Sequence, residues 1–270
     1  MKISLYYFSG TGNTAWMAQR LAECLTGLGD EVTAASCEGV PASGVDLAAC
    51  DVLGIAFPVH ASFAPVVFRD FLDGLPPGEG KPLFAVTTAG YAAGDTAWYA
   101  VKPLQDKEYE PFLLGNVLMG NNFYIPPVDF LPVTPPEKMP QKLAQARRKI
   151  AALAELVHRR EPHVEGDDPL GRLMGISQRW SMQFESLFFK NFFADETCTR
   201  CGWCVRHCPA NNIEMNGAGV RFLDGCIHCM RCYSFCPVRA IQVTEKTKHA
   251  KYRRYRGPEG KPYPSRHRPA

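Results

Sequence analysis

The fold is decided by the stretch Tyr7-Phe8-Ser9-Gly10-Thr11-Gly12-Asn13-Thr14 near the start of this 270-residue chain. An apolar run at 2–7 precedes it and predicts a strand, whereas the apolar side chains of 14–28 recur at helical spacing and predict a helix. A glycine-rich turn between a strand and a helix directs backbone N–H groups and the positive end of the helix dipole at one point. We therefore predict an anion site on a glycine loop formed by Ser9, Gly10, Thr11, Gly12, Asn13 and Thr14.

Strand and helix patterns continue to alternate as far as residue 160. The remaining strands are predicted at 31–35, 52–57, 83–88 and 112–119, and the remaining helices at 66–72, 96–104 and 137–160. Strands that alternate with helices pair in parallel and are covered by helices on both faces. The pattern predicts an α/β domain over residues 1–160 with a doubly wound, five-stranded parallel sheet.

The glycine loop fits three interpretations. Residues 10–15 match the dinucleotide fingerprint G-x-G-x-x-A, and Glu38 follows the second strand, where that fingerprint places an acid. The hydroxyls of Ser9, Thr11 and Thr14 instead favour a terminal phosphate, which can use many donors. A plain glycine-rich turn is the third interpretation. A Walker loop is excluded, because Gly-Lys-Ser/Thr is missing.

Two further loops favour a flavin, because both lie where a doubly wound sheet binds its ligands, at the carboxyl ends of strands. Residues 57–63 and 87–94 are uncharged, and each loop carries an aromatic residue together with glycine or proline. A flat isoalloxazine ring requires backbone amides at its edge and apolar groups on its faces. We therefore predict FMN, with its phosphate on the glycine loop. The predicted ring contacts are Pro58, Val59, His60, Thr88, Ala89, Gly90 and Tyr91.

Eight of the eleven cysteines form an internal duplication with an offset of 28 residues. Each group has the spacing C-x2-C-x2-C-x3-C-P, in which three cysteines ligate one [4Fe–4S] cluster and the fourth ligates the other. The first quartet is therefore predicted to be Cys198, Cys201, Cys204 and Cys236. The second quartet is predicted to be Cys226, Cys229, Cys232 and Cys208. A pair of zinc sites is the alternative, but zinc needs two-plus-two spacing and leaves the third cysteine without a task.

The remaining segments differ in composition. Residues 161–195 are predicted to be a linker and an amphipathic connector, whose apolar side chains we expect to pack between the domains; a membrane-surface helix is the alternative. Residues 196–245 form the cysteine-rich domain. Residues 246–270 carry a net charge of +8, against −5 for the rest, and almost no aliphatic side chains, so we predict a basic, disordered tail. With neither a membrane span nor a signal peptide in the sequence, we expect a cytoplasmic protein.

On these residues the chain resembles the EFR1-type flavodoxin/ferredoxin fusion family. The resemblance is carried by residues 7–14, by Phe57-Pro58-Val59 and by both cysteine groups. It implies a flavodoxin-like sheet of order 2-1-3-4-5, a small α+β 2[4Fe-4S] ferredoxin domain, FMN on the glycine loop, and electron transfer between flavin and clusters. In one respect the chain departs from the family pattern. His60-Ala61 stands where an aromatic pair over the flavin is expected, and Phe63 or Tyr91 is the candidate replacement.

We accordingly expect an electron-transfer iron–sulfur flavoprotein with FMN, two [4Fe–4S] clusters and a redox partner protein. A flavin-dependent reductase is the alternative, with His60, Tyr91 and Asn122 as polar groups near a small substrate. A third possibility is an interaction module, in which the basic tail contacts an acidic redox partner or RNA. The tail is the only hint of nucleic acid, which we regard as an improbable partner.

Overall fold

A computed structural model describes residues 1–181, 192–217 and 219–262. Short apolar runs in the first part of the chain form parallel strands, and the central ones, at 52–58 and 82–89, are buried on both faces. The strands are β1 (Lys2–Tyr7), β2 (Glu31–Ser36), β3 (Val52–Pro58), β4 (Pro82–Ala89) and β5 (Glu110–Leu118). Their order is β2-β1-β3-β4-β5, which confirms the doubly wound, flavodoxin-like sheet.

A sixth strand extends this sheet where the sequence indicated only a linker. The strand β6 (His163–Val164) pairs in parallel with β5, and the Glu165 N–H then donates to the Leu114 carbonyl at 2.9 Å. Two residues are too few to show strand periodicity, so the five-stranded prediction was one strand short.

Four helices cover the sheet. They are α1 (Asn13–Gly27), α2 (Val66–Asp73), α3 (Thr96–Gln105) and α4 (Met139–His158). On one face, α1 and α4 bury Trp16, Leu21, Ile150 and Leu153 in a common core. The other face packs against α2 and α3 through a second core. The carboxyl ends of the strands are left for the loops that follow them.

The helical part of the connector does not pack as its composition suggested, although Phe192, near the end of the connector, is buried against the cysteine-rich domain. Its helix α5 (Pro169–Ser181) leaves four large apolar side chains more than 60% exposed, namely Leu170, Leu173, Ile176 and Trp180. The helix instead approaches the first domain through Gly175, where a Cβ would lie 1.8 Å from the Asp95 carboxylate. Arg179 then forms two 2.7 Å hydrogen bonds to that carboxylate. The small size of Gly175 and the charge of Arg179 therefore decide which face of α5 lies against the first domain. The apolar residues at 184–188 lie outside the described residues.

The cysteine-rich domain is a small α+β unit. Its elements are β7 (Phe193–Ala194), α6 (Trp203–Arg206), β8 (Ile213–Asn216), β9 (Gly219–Phe222), α7 (Arg231–Phe235) and β10 (Ile241–Gln242). Strands β7 and β10 pair antiparallel, as do β8 and β9. Left-handed residues recur at the 28-residue offset, in the pairs Arg200 and His228, Gly202 and Met230, and Asn211 and Arg239. The duplication in the sequence is therefore repeated in the backbone.

The C-terminal segment, residues 246–262, packs against both domains, so the prediction of disorder was wrong for this part of the tail. Tyr252 and Tyr255 are 4% and 3% exposed. The Tyr255 hydroxyl donates to Asn13 Oδ1 at 2.5 Å, and Arg254 donates to the Ile241 carbonyl at 2.9 Å. The scarcity of aliphatic residues suggested disorder, but in this segment aromatic and arginine side chains make the packing contacts. Residues 263–270 lie outside the described residues.

Within the described part of the chain, none of the helices combines the length and the apolar character that crossing a bilayer requires.

The buried Tyr255 hydroxyl supplies a test of this packing. Tyr255→Phe leaves the buried Asn13 oxygen without its donor, which should cost about 1–3 kcal/mol and lower the melting temperature by about 2–4 °C per kcal/mol. Tyr252→Phe is the matched control, because its partner Asp129 keeps an ion pair with Lys251 and is partly exposed. Thermal unfolding of the two variants should therefore separate them. Equal melting temperatures for both variants and the parent would show that the segment does not pack here.

Candidate cofactor sites

The glycine loop joins β1 to α1 and is held in a conformation that only glycine adopts easily. Gly12 caps α1 with a φ of +103°, and its N–H donates to Ser9 Oγ at 3.1 Å. Residues 10–14 are all buried. The loop is therefore covered by the surrounding structure and does not stand open to solvent.

The buried start of α1 leaves backbone donors without partners. Among the hydrogen bonds of the described residues, none is donated by the backbone N–H of Thr11, Asn13 or Thr14. Buried N–H groups normally find an acceptor, and a helix start with unsatisfied donors attracts an anion. These donors fit a phosphate group, as the sequence predicted for the glycine loop.

Side chains from the ends of β4 and β5 converge on the glycine loop. The hydroxyls of Thr14 and Thr88 share a hydrogen bond of 2.7 Å, which joins α1 to the end of β4. Asn122, beyond β5, donates to Thr11 Oγ1 at 2.6 Å. Asn13 donates to the Gly120 carbonyl at 2.8 Å. The last contact was missed from the sequence, because the segment after β5 carries no recognisable motif.

The two loops predicted to contact a flavin ring begin side by side. Pro58 lies opposite Thr88 in the β3–β4 register, and the Val59 N–H donates to the Thr88 carbonyl at 2.9 Å. His60 and Phe63 then exchange two backbone hydrogen bonds of 2.9 Å around a tight turn. Ala61 and Ser62 occupy the centre of that turn with φ values of +47° and +61°.

Phe63 and Tyr91, the two aromatic residues predicted to cover the flavin ring, lie in different surroundings. Phe63 packs edge-on against Tyr99 of α3, with ring centroids 5.7 Å apart. Tyr91 is 49% exposed, and its hydroxyl lies 3.4 Å from the Pro132 carbonyl. Ala89 is buried, and Gly90 lies so close to Asn121 that a Cβ would come within 3.1 Å of the amide oxygen. The structure thus brings Pro58, Val59 and Thr88 together with the glycine loop, while Tyr91 lies at the surface.

The acid required by the dinucleotide interpretation is already paired. Both carboxylate oxygens of Glu38 accept hydrogen bonds from Arg231 of the cysteine-rich domain, at 2.6 and 2.8 Å. The position that would bind a ribose hydroxyl in a dinucleotide site is therefore engaged within the protein. This pairing favours a mononucleotide.

The eight motif cysteines surround two separate cavities. Cys198, Cys201, Cys204 and Cys236, the first quartet, line one cavity with about 310 Å³ of empty space. Cys208, Cys226, Cys229 and Cys232, the second quartet, line another with about 360 Å³. Each cavity thus receives three cysteines from one motif and the fourth from the other motif.

Cys208 and Cys236 are the crossing cysteines, since each belongs to one motif and lines the cavity of the other, and both accept the same kind of hydrogen bond. The Asn212 N–H donates to Cys208 Sγ, and the Ala240 N–H donates to Cys236 Sγ, both at 3.2 Å. Hydrogen bonds to sulfur stabilise the thiolate form and are one means by which a protein sets a cluster's reduction potential.

Four thiols line each cavity, which is the number of protein ligands that a [4Fe–4S] cluster takes. Burial raises the pKa of the Cys204 thiol to about 11 and that of Cys229 to about 12. Metal binding must therefore displace the protons of these thiols.

Comparison with known proteins supports the description of the second domain. Residues 190–237 match the model of a 4Fe-4S dicluster domain. No curated protein matches the chain.

Several solved structures resemble the first domain. Flavodoxin 1 from Bacillus cereus is 18% identical, with a TM-score of 0.42, and the match covers 57% of this chain and 95% of that one. A flavodoxin from Megasphaera elsdenii is 20% identical, with a TM-score of 0.40, over 57% and 98% of the two chains. An archaeal flavodoxin is 17% identical, with a TM-score of 0.38, over 58% and 99%. The strand order already establishes this fold, so the chain joins a flavodoxin-like domain to a domain of the 4Fe-4S dicluster type.

Proposed function

We propose that the protein is an electron-transfer iron–sulfur flavoprotein of the EFR1 type, which moves electrons between FMN and two [4Fe–4S] clusters and onward to a redox partner protein. One contact carries the proposal. A Cβ on Gly10 would lie 2.4 Å from the Cys229 carbonyl oxygen, so the glycine loop touches the second quartet directly. Cofactor sites this close together would let electrons pass directly between a flavin and a cluster.

In this proposal each cofactor has its own set of binding residues. The N–H groups of Thr11, Asn13 and Thr14 receive the phosphate of FMN. The ring contacts remain those predicted from the sequence, at Pro58, Val59, His60, Thr88, Ala89, Gly90 and Tyr91. The two quartets each receive one cluster. When bound, FMN exchanges one or two electrons and each cluster exchanges one.

Cofactor selectivity tests the proposal at the glycine loop. FMN should bind at least about tenfold more tightly than riboflavin, because hydrogen bonds to a charged phosphate contribute about 1.5–3 kcal/mol each. Gly12→Ala should reduce this preference, because alanine does not readily adopt a φ of +103°. Quenching of flavin fluorescence measures both affinities. Recovery of a nicotinamide dinucleotide from the purified protein, or equal binding of riboflavin and FMN, would contradict the assignment.

Reoxidation kinetics separate an electron carrier from a reductase. Protein loaded with FMN and clusters and reduced anaerobically should be reoxidised rapidly by one-electron carrier proteins. Small quinones, nitro compounds and enones should react slowly and without saturation. Saturable turnover of one such small molecule would support the reductase instead.

Crossed ligation predicts which cluster each motif's last cysteine supports. Cys208→Ser should damage the cluster held with Cys226, Cys229 and Cys232, although Cys208 belongs to the first motif. Cys236→Ser should damage the other cluster. EPR spectra of the reduced variants, compared with Cys198→Ser and Cys226→Ser, identify the cluster that is lost. The idea fails if Cys208→Ser and Cys198→Ser give the same spectrum.

An arginine-lined groove is the surface we assign to an acidic redox partner. Arg239, Arg253 and Arg256 border a groove of about 760 Å³ between the C-terminal segment and α4. All three are exposed, and none forms a salt bridge with any described residue. Arg239 follows Cys236 of the first quartet by three residues, so a partner bound here would lie close to that cluster site.

Charge reversal tests this surface. The double variant Arg253→Glu/Arg256→Glu should slow reduction of an acidic carrier, such as a plant-type ferredoxin, by about tenfold or more at low salt. The effect should shrink near physiological salt, where the Debye length is about 8 Å. Arg148→Glu, on an exposed part of α4, is the single-charge control. Unchanged rates and salt dependence in the double variant would rule out docking at this groove.

A further inference from the structure

One arginine in the second cysteine motif is not required by the motif itself. Arg231 lies between Cys229 and Cys232, and the equivalent residue of the first motif, 28 positions earlier, is Trp203. Trp203 stacks on His207, with ring centroids 4.2 Å apart. The two halves of the duplication thus differ at a position where one half meets the flavodoxin-like domain.

All five N–H donors of the Arg231 guanidinium are used. Nε donates to the Gly10 carbonyl at 3.1 Å. Nη1 donates to Glu38 Oε2 at 2.8 Å and to the His207 carbonyl at 2.9 Å. Nη2 donates to Glu38 Oε1 at 2.6 Å and to the Ser9 carbonyl at 2.7 Å. No donor of Arg231 is left over for a ligand, so its function lies in holding protein groups in place.

The pair of Arg231 and Glu38 is buried, with side chains 4% and 16% exposed. Both oxygens of the Glu38 carboxylate accept from the guanidinium within 2.8 Å, so the two charges face each other directly. A charged, fully hydrogen-bonded guanidinium has few alternative geometries, so the groups that accept from it are fixed with it.

Those acceptors belong to both candidate sites. The carbonyls of Ser9 and Gly10 accept from Arg231, while the N–H groups of Thr11, Asn13 and Thr14 have no acceptor among the described residues. The third carbonyl belongs to His207. His207 directly precedes Cys208, which is the cysteine that the first motif contributes to the second quartet. Arg231 itself adjoins two more members, Cys229 and Cys232. One side chain therefore orients the phosphate-binding loop and three ligands of the second quartet.

We propose that Arg231 is a positioning residue through which FMN binding at the glycine loop and cluster binding at the second quartet strengthen each other. The proposal rests on the proposed function, since it requires both cofactors. Because coupling between two binding sites is reciprocal, each cofactor must increase the affinity of the other by the same factor. Trp203 of the first motif lines a cavity with Ser9, Gly10 and Gly12, but among the described residues it donates no hydrogen bond to them, so the first cluster is not coupled to FMN through such bonds.

The ratio of FMN to riboflavin affinity is the first readout. Arg231→Gln should lower this ratio by about tenfold, because the loop that binds the phosphate loses its anchor while the ring contacts remain. Arg231→Lys should not restore it, since one ammonium cannot replace five donors in fixed directions. Arg206→Gln is the matched control. Arg206 donates to the Cys201 carbonyl of the first motif at 3.1 Å, and its loss should leave the ratio unchanged.

The rate at which a chelator removes iron is the second readout, and it involves no electron transfer. FMN should protect about half of the iron in the parent protein, the half held by the second quartet, and riboflavin should protect it less. In Arg231→Gln this protection should disappear. If that variant does not fold, Glu38→Gln preserves the shape of the pair, weakens it, and should lower both the affinity ratio and the protection.

Failure of this inference differs from failure of the proposed function. If the parent binds FMN in preference to riboflavin but Arg231→Gln and Glu38→Gln keep the same ratio and protection, the coupling is wrong and the proposed function stands. If the parent shows no preference for FMN, the proposed function fails and the coupling fails with it.

Discussion

The buried ion pair between Arg231 and Glu38 is the interaction on which the arrangement of the two domains depends. Moving a charged group out of water costs several kcal/mol, and this cost is offset only when every donor and acceptor is matched. Here five acceptors from the flavodoxin-like domain and from the first cysteine motif surround one guanidinium. Removing either partner would leave the other charge buried and uncompensated. The pair therefore holds the glycine loop against the second quartet.

The C-terminal segment also contacts both domains. Tyr255 reaches Asn13 at the start of α1, and Arg254 reaches the Ile241 carbonyl of β10. Arg254 also lies over the Tyr233 ring, with its guanidinium carbon 3.2 Å from the centroid. Together with Arg231, these contacts enclose the glycine loop and keep water from it. Electrostatic interactions are stronger in such surroundings, which favours tight binding of a phosphate by neutral N–H groups.

The sequence was sufficient wherever one local pattern has one physical cause. The cysteine spacing predicted which four thiols meet in each cavity. The alternation of strands and helices predicted a doubly wound parallel sheet, and the family resemblance implied the order of its first five strands. Prediction from the sequence failed where contacts between distant parts of the chain determine the structure. The strand β6 has only two residues and forms by pairing with β5. The helix α5 buries its glycines because the ion pair between Arg179 and Asp95 holds that face against the first domain. Composition alone could not reveal that aromatic and arginine side chains of the tail would find partners on two domains. The sequence does carry one signal of the contact between the domains. Arg231 departs from the duplication, because the equivalent residue of the first motif is Trp203.

The most direct test of the central claim is an anaerobic redox titration, with iron, sulfide and flavin counted on the same preparation. If the chain holds a flavin and two clusters in contact, each chain should contain about eight iron atoms, about eight sulfide ions and about one FMN. The titration should then resolve one flavin and two cluster transitions. Four iron atoms per chain, zinc in place of iron, or clusters with no flavin in a protein that cannot be reconstituted with FMN would contradict the account.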